Sequence, residues 1–195
     1  MINHLLFLDE SFFYWFNNLS GKNYYIDTTG LIIGKYLVYL VPILLVFFWF
    51  YSKKDKVKID LVKSTLVSVF IWQIPTRIIA FFWNRPRPFV NLAETKELFF
   101  HIPSYSFPSD HATFLAAISM YFYLLGYKKV GYMGFVTTFL VGIFRIIAGM
   151  HYPLDIICGW ALGVMGSWII YKYTDKIINK LAKYILKIAR YIKLA

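Results

Sequence analysis

SFPSDHATFLAAISMYFYLLGY, residues 106–127, decides the fold. Its first six residues hold a proline, two serines, an aspartate and a histidine, and from Ala112 onward the stretch carries no charge. Such a run is suited to lipid rather than to the interior of a small soluble domain. Working outward, residues 36–52, 130–144 and 156–171 are likewise uncharged, and the apolar stretch 61–83 is interrupted by Lys63 and Arg77. Each, with its flanks, approaches the roughly 20 residues that a helix needs to cross the hydrocarbon core. With 59% hydrophobic and 16% charged residues, the chain reads as an all-α integral membrane protein. We expect one domain, residues 1–195, built as a bundle of about five to six transmembrane helices.

The formal charge of +11 does not point to nucleic acid, because the basic residues are clustered rather than spread over a surface. Lys53, Lys54, Lys56 and Lys58 follow the first span, Lys128 and Lys129 follow the third, and Lys172 to Lys193 follow the last. The positive-inside rule puts these regions in the cytoplasm. The N-terminus, residues 84–108 and the turn 149–153 are then left for the other face. The tail, residues 174–195, repeats Ile177, Leu181, Ile185, Ile188 and Ile192 among lysines, the pattern of a basic amphipathic helix. It is expected to lie on the anionic inner leaflet, with a partner-binding helix as the alternative. Asp9 and Glu10 interrupt the apolar start of the chain, so no cleaved signal peptide is expected and residues 5–16 are assigned to the interface. Cys158 is a lone cysteine within an apolar stretch and is read as a core residue.

The chemistry begins with the spacing in FRIIAGMHYPLD, residues 144–155. His151 and Asp155 are four apart and share one face if a helix starts there. A carboxylate that accepts one imidazole N–H fixes the tautomer and leaves the other nitrogen free to attack. The pair also reads as an interfacial histidine with a chance neighbour, and spacing alone does not choose. Arg145, near the end of an apolar helix, needs an anionic partner: a phosphate suits its planar two-pronged donor set, and Asp155 or another acid would also serve. Ser109, Asp110 and His111 open another helix, where free backbone N–H groups and the helix dipole attract an anion. Ser109 or Asp110 alone is explained as an N-cap. His111 is placed to act as a general acid.

Upstream, RPRP (residues 85–88) brings Arg85 and Arg87 into a proline-stiffened outer loop, and Arg77 lies inside an apolar stretch next to Pro75. Arg77 is a functional candidate by its position, with snorkelling to the interface as the other reading. Glu94, Glu97 and His101 are read as solvated loop charges, a lid being the alternative.

RPRP, PSDH and R(x5)H(x3)D, in this order and spacing, resemble the three signature motifs of the type 2 phosphatidic acid phosphatase superfamily, across roughly residues 77–163. The wording SFPSDH and the short chain most resemble its bacitracin-resistance type of undecaprenyl-diphosphate phosphatase. The resemblance implies a helical bundle with a metal-free site and no cofactor. It makes His151 the nucleophile, Asp155 its partner and His111 the acid, with Arg87, Ser109 and Arg145 at phosphate-binding positions. Three positions depart from the pattern. Ala80 stands at the lysine of the first motif, and Arg77, one turn earlier, is a candidate replacement. Phe144 stands at a usual serine, and Asp110 at a frequent glycine.

Topology and charge set the expected substrate: a site between lipid-exposed helices with more arginines than one phosphate requires suits a polyprenyl diphosphate lipid, bound by Arg77, Arg85, Arg87, Ser109, Asp110 and Arg145. The expected place is the bacterial cytoplasmic membrane, with the site on its outer face. Rival readings are another lipid phosphatase of the superfamily and a non-enzymatic lipid transporter. Four histidines and one cysteine in dispersed positions show no metal-ligand spacing.

Overall fold

A computed structural model describes residues 2–194, all of whose regular elements are helices apart from one isolated bridge between Pro86 and Tyr105. The order is α1 (Ile2–Asn17), α2 (Tyr24–Leu31), a π-turn (Ile32–Tyr36), α3 (Leu37–Tyr51), α4 (Asp55–Gln73), α5 (Pro75–Trp83), the short α6 (Pro88–Asn91), α7 (Asp110–Leu124), α8 (Lys128–Ile147) and α9 (Pro153–Tyr191). Four continuous helical stretches, Tyr24–Tyr51, Asp55–Trp83, Lys128–Ile147 and Pro153–Tyr191, are long and apolar enough to cross a membrane. They correspond to four of the expected spans, with boundaries extended because the polar flanks also continue the helix.

The stretch that decided the fold becomes α7, which lies at the centre. Its 15 residues are fewer than a lone span requires, but it packs on α4, α8 and α9 and is not left to match the lipid by itself. Gly159 and Gly163 of α9 let that helix approach closely. A Cβ at Gly163 would stand 2.5 Å from the Thr113 carbonyl oxygen, and one at Gly159 would stand 2.9 Å from that of Ser109. Close backbone approach through small residues is the usual way for helices to associate where lipid removes the hydrophobic drive. The Ser167 hydroxyl adds a 2.9 Å bond to the Ala117 carbonyl across the same seam.

Two expectations about the ends of the chain are corrected. Helix α1 does not simply lie at the interface: Phe13 is fully buried with Ala112, Ile146, Tyr152 and Ile156, while Leu5, Phe12 and Trp15 face outward. The amide of Asn17 donates to the carbonyls of Lys96 and Ile147, both at 2.9 Å, and fastens α1 to the outer loop and to the end of α8. The basic tail is not a separate helix on the leaflet. It continues α9, whose 39 residues extend about 58 Å at 1.5 Å each. Ala182, Leu186 and Ala189 are buried, and Arg190 pairs with Asp55 at the start of α4. The stripe of Ile177, Leu181, Ile188 and Ile192 stays exposed, because small alanines rather than isoleucines make the close contact.

Lys63, which interrupts an apolar stretch, is explained at the lysine-rich end. Its Nζ lies 2.7 Å from Asp175 of α9, and the Tyr121 hydroxyl donates to the same carboxylate at 2.8 Å. The Tyr127 hydroxyl donates to Asp60 at 3.0 Å. The first group thus joins α4, α7 and α9, and the second ties α4 to the residue that precedes α8.

Candidate active site

At the opposite end of the bundle, three segments meet: the loop of residues 84–109, the N-terminus of α7 and the turn between α8 and α9. That turn owes its shape to Gly149, whose φ of +81° is left-handed and whose Cβ would stand 2.6 Å from the Lys96 carbonyl oxygen. Pro153 then starts α9, and the Tyr152 N–H donates to Asp155 Oδ2 at 2.8 Å, capping the helix. The turn leaves His151 and Asp155 buried side by side, one helical turn apart.

His151 Nδ1 lies 2.9 Å from the carbonyl oxygen of Ser106 and 3.6 Å from Asp155 Oδ2. A carbonyl only accepts, so Nδ1 carries the proton and Nε2 presents its lone pair. The immediate holder of the imidazole is therefore a backbone carbonyl, with Asp155 standing behind it. Asp155 is itself held on all sides. Arg85 Nη1 donates to Oδ1 at 2.8 Å, and the Ser106 hydroxyl and Tyr152 N–H donate to Oδ2. Burial pushes the His151 imidazole well below the ordinary histidine range, and Arg87 and Arg145 act in the same direction. The ring is then neutral at neutral pH, as a nucleophile requires.

On the Nε2 side stands Arg87. Its Nη1 is 3.1 Å from Nε2 and donates to the Met150 carbonyl at 3.0 Å, while its Nε donates to Ser104 Oγ at 3.0 Å. Arg145 comes from the last turn of α8 and is buried. Its Nη1 donates to the Gly34 carbonyl of the π-turn at 3.0 Å, whereas Nε and Nη2 have no partner among the described residues. Unpaired charged donors inside a protein carry a substantial desolvation cost. An anion there removes it, and a phosphate offers oxygens in matching geometry. Ser109 is the N-cap of α7 and lies buried against α9, its N–H donating to the Asp155 carbonyl at 3.0 Å. His111, one residue into α7, is near enough to Arg145, His151 and Arg87 to feel their charges.

Among the expected site residues, Arg87 and Asp155 thus flank His151, Arg87 at 3.1 Å and Asp155 at 3.6 Å from the imidazole, with His111 and Arg145 near enough to act on it by charge. Arg77 and Asp110 form a more open pair at its rim, 3.4 Å apart, with the Arg77 side chain 57% exposed. Arg85 is corrected: it does not face an incoming phosphate, because Nη1 and Nη2 are taken by Asp155 and Asp9 and its guanidinium lies 3.7 Å over the Tyr152 ring. His101 is not a plainly solvated loop charge either. It sits half-buried at the rim, its N–H accepted by Glu97 at 3.0 Å, and burial lowers its pKa, with Arg87 and Arg145 adding to the effect. Ser106, Ser104, Gly34 and Asp9 were not singled out for the site by the sequence. Asp9 left a signal, one of two adjacent acids that interrupt the apolar start of the chain, whereas Ser106 and Gly34 enter largely through backbone carbonyls that no residue type announces.

Comparison with known proteins identifies relatives of the chain. A family model described as the PAP2 superfamily matches residues 59–179. The chain is 29% identical over 163 residues to a Bacillus licheniformis protein named bacitracin transport permease protein BcrC, covering 83% of this chain and 79% of that one. It is 27% identical over 182 residues to the protein named undecaprenyl-diphosphatase BcrC of Bacillus subtilis strain 168, covering 86% and 92%. Among solved structures, LpxE from Aquifex aeolicus is similar with a TM-score of 0.67 at 28% identity, covering 85% of this chain and 96% of that one.

Proposed function

Because the chain belongs to the PAP2 superfamily, of membrane-embedded lipid phosphatases, we propose that its substrate is undecaprenyl diphosphate, which it hydrolyses to undecaprenyl phosphate and inorganic phosphate. In this reading His151 Nε2 attacks the terminal phosphorus and the bond to the bridging oxygen breaks. His111 gives its proton to that leaving oxygen. A water molecule, losing a proton to His111, then attacks the phosphohistidine; the N–P bond breaks and phosphate leaves. Ser106 and Asp155 hold the Nδ1 proton and stabilise the positive charge that develops on the ring. Arg87, Arg145, Ser109 and the free N–H groups of α7 receive the equatorial oxygens as charge is redistributed.

The observation that carries this reading is Arg145, whose Nε and Nη2 lie buried and unpartnered among the described residues and whose charge reaches His151. The diphosphate is favoured over a monoester by the rim, where Arg77 adds a cation beyond those around His151. With the lysine clusters at the other end, the site faces the outer side of the cytoplasmic membrane. There it would return a carrier lipid to use, and overproduction would lower bacitracin sensitivity.

The test is phosphate release by purified protein in detergent, with chelator present, from undecaprenyl diphosphate, phosphatidylglycerophosphate and phosphatidate. Preferential release from the diphosphate, abolished by His151→Ala, is the expected result. Preference for another lipid would replace the substrate and keep the chemistry. Absence of any turnover with retained lipid binding would instead support a transporter, a reading that the permease name of one relative brings forward.

A further inference from the structure

The reaction as proposed leaves Asp9 unused, although it is buried and bound on both oxygens. Oδ1 accepts the Leu154 N–H in the first turn of α9 at 2.8 Å, and Oδ2 accepts Arg85 Nη2 at 2.6 Å. Arg85 Nη1 continues to Asp155 Oδ1 at 2.8 Å, and the other oxygen of Asp155 stands 3.6 Å from His151 Nδ1. A line of fixed charges therefore runs from the N-terminal helix to the imidazole. It begins far outside the residues matched by the family model, 59–179.

We propose that Asp9 is a positioning residue for the reaction: acting through Arg85, it aims Asp155 and preserves the negative charge that His151 meets. This rests on the reading of His151 as the nucleophile. Anchoring of α1 does not need such a pair, because Phe13 in the core and the hydrogen bonds of Asn17 already fasten the helix. A buried ion pair is a poor fastener compared with apolar contacts of equal volume. Its distinctive effect is on charge. Arg85 alone would neutralise Asp155, whereas shared between two carboxylates it leaves one net negative charge beside a ring that becomes cationic or phosphorylated. The other groups facing His151 are Arg87 and His101 from the outer loop, Arg145 from α8 and His111 from α7. All four are fixed or potential cations, so the negative charge supplied by Asp155 and Asp9 opposes them.

The experiment compares wild type, Asp9→Asn, Arg85→Gln and the double variant in steady-state phosphate release from undecaprenyl diphosphate across pH. Selective 15N-histidine labelling follows the titration of His151 in the same proteins. Asp9→Asn is expected to lower kcat by about 10-fold or more with KM within about 2-fold. Loss of a negative charge favours the neutral ring, so the His151 titration and the acid limb of the rate profile both move to lower pH. The double variant should be no worse than Arg85→Gln, because Asp9 acts through Arg85. Ser11→Ala, on the exposed face of α1, should behave as wild type. An unchanged His151 titration in folded Asp9→Asn, or a change in KM alone, would overturn the proposal. Should Asp9→Asn not fold, Arg85→Lys, which keeps the charge and cannot bridge both carboxylates, must show the same loss of kcat, and normal kcat in it would overturn the proposal equally. If wild type released no phosphate, the phosphatase reading would fall, while the titration would still decide whether Asp9 acts on His151.

Discussion

Arg145 is held by one bond to the Gly34 carbonyl, and its Nε and Nη2 are buried with no partner among the described residues. A lysine keeps the charge and loses the fork, since a single ammonium cannot bond Gly34 and grip two phosphate oxygens together. Arg145→Lys should lower kcat/KM by about 10²-fold or more in the phosphate-release assay, comparable with loss of a transition-state donor. Asp155→Asn should be more severe, about 10³-fold, because an amide beside Arg85 and Ser106 cannot accept every bond that the carboxylate accepts. The pH dependence has a definite sign. Burial holds His151 neutral to unusually low pH, so the acid limb of kcat/KM should lie below the ordinary histidine range near 6.5, and activity should fall only as the ring gains its proton beneath that point.

Among the elements, the seam between α7 and α9 has the least tolerance. Gly163→Val places branched carbons where the Thr113 carbonyl and Ala116 Cβ already stand within 2.8 Å of an added Cβ. The helices must separate, at a cost of about 1–3 kcal/mol, and Ser109 moves away from Asp155 with them. A lower thermal midpoint in detergent, together with reduced turnover, checks this. The same elements show how far the sequence can be read. Residues 106–127 and the R(x5)H(x3)D spacing announce α7, the turn and the reacting pair, because lipid demands long apolar runs and catalysis demands particular side chains at fixed separations. Helix α1 escaped because its buried face is Asp9, Phe13 and Asn17, four residues apart but two of the three polar, so the apolar pattern does not reveal it. The tail misled because its isoleucine stripe is the conspicuous one, whereas the buried residues are Ala182, Leu186 and Ala189. Arg85 was read as a phosphate ligand for want of any sign that Asp9 would claim half of its guanidinium.

For the molecule as a whole, the two polar ends do different work. The cluster of Lys63, Asp175 and Tyr121 ties α4, α7 and α9 far from the histidines. Lys63→Met should therefore lower stability by about 2 kcal/mol, less than for a fully enclosed pair because the Asp175 side chain is a third exposed, and leave KM unchanged. Thermal unfolding set beside steady-state kinetics separates the two effects. The opposite end must capture an anion and also let one go. Arg145 donors that have no protein partner have no competitor for the released phosphate, so the cradle that speeds transfer also retains its product. Inorganic phosphate should accordingly act as a competitive inhibitor against the lipid, and Arg145→Lys should relieve that inhibition as it slows turnover. Product departure, rather than bond cleavage, would then set the pace wherever phosphate is abundant.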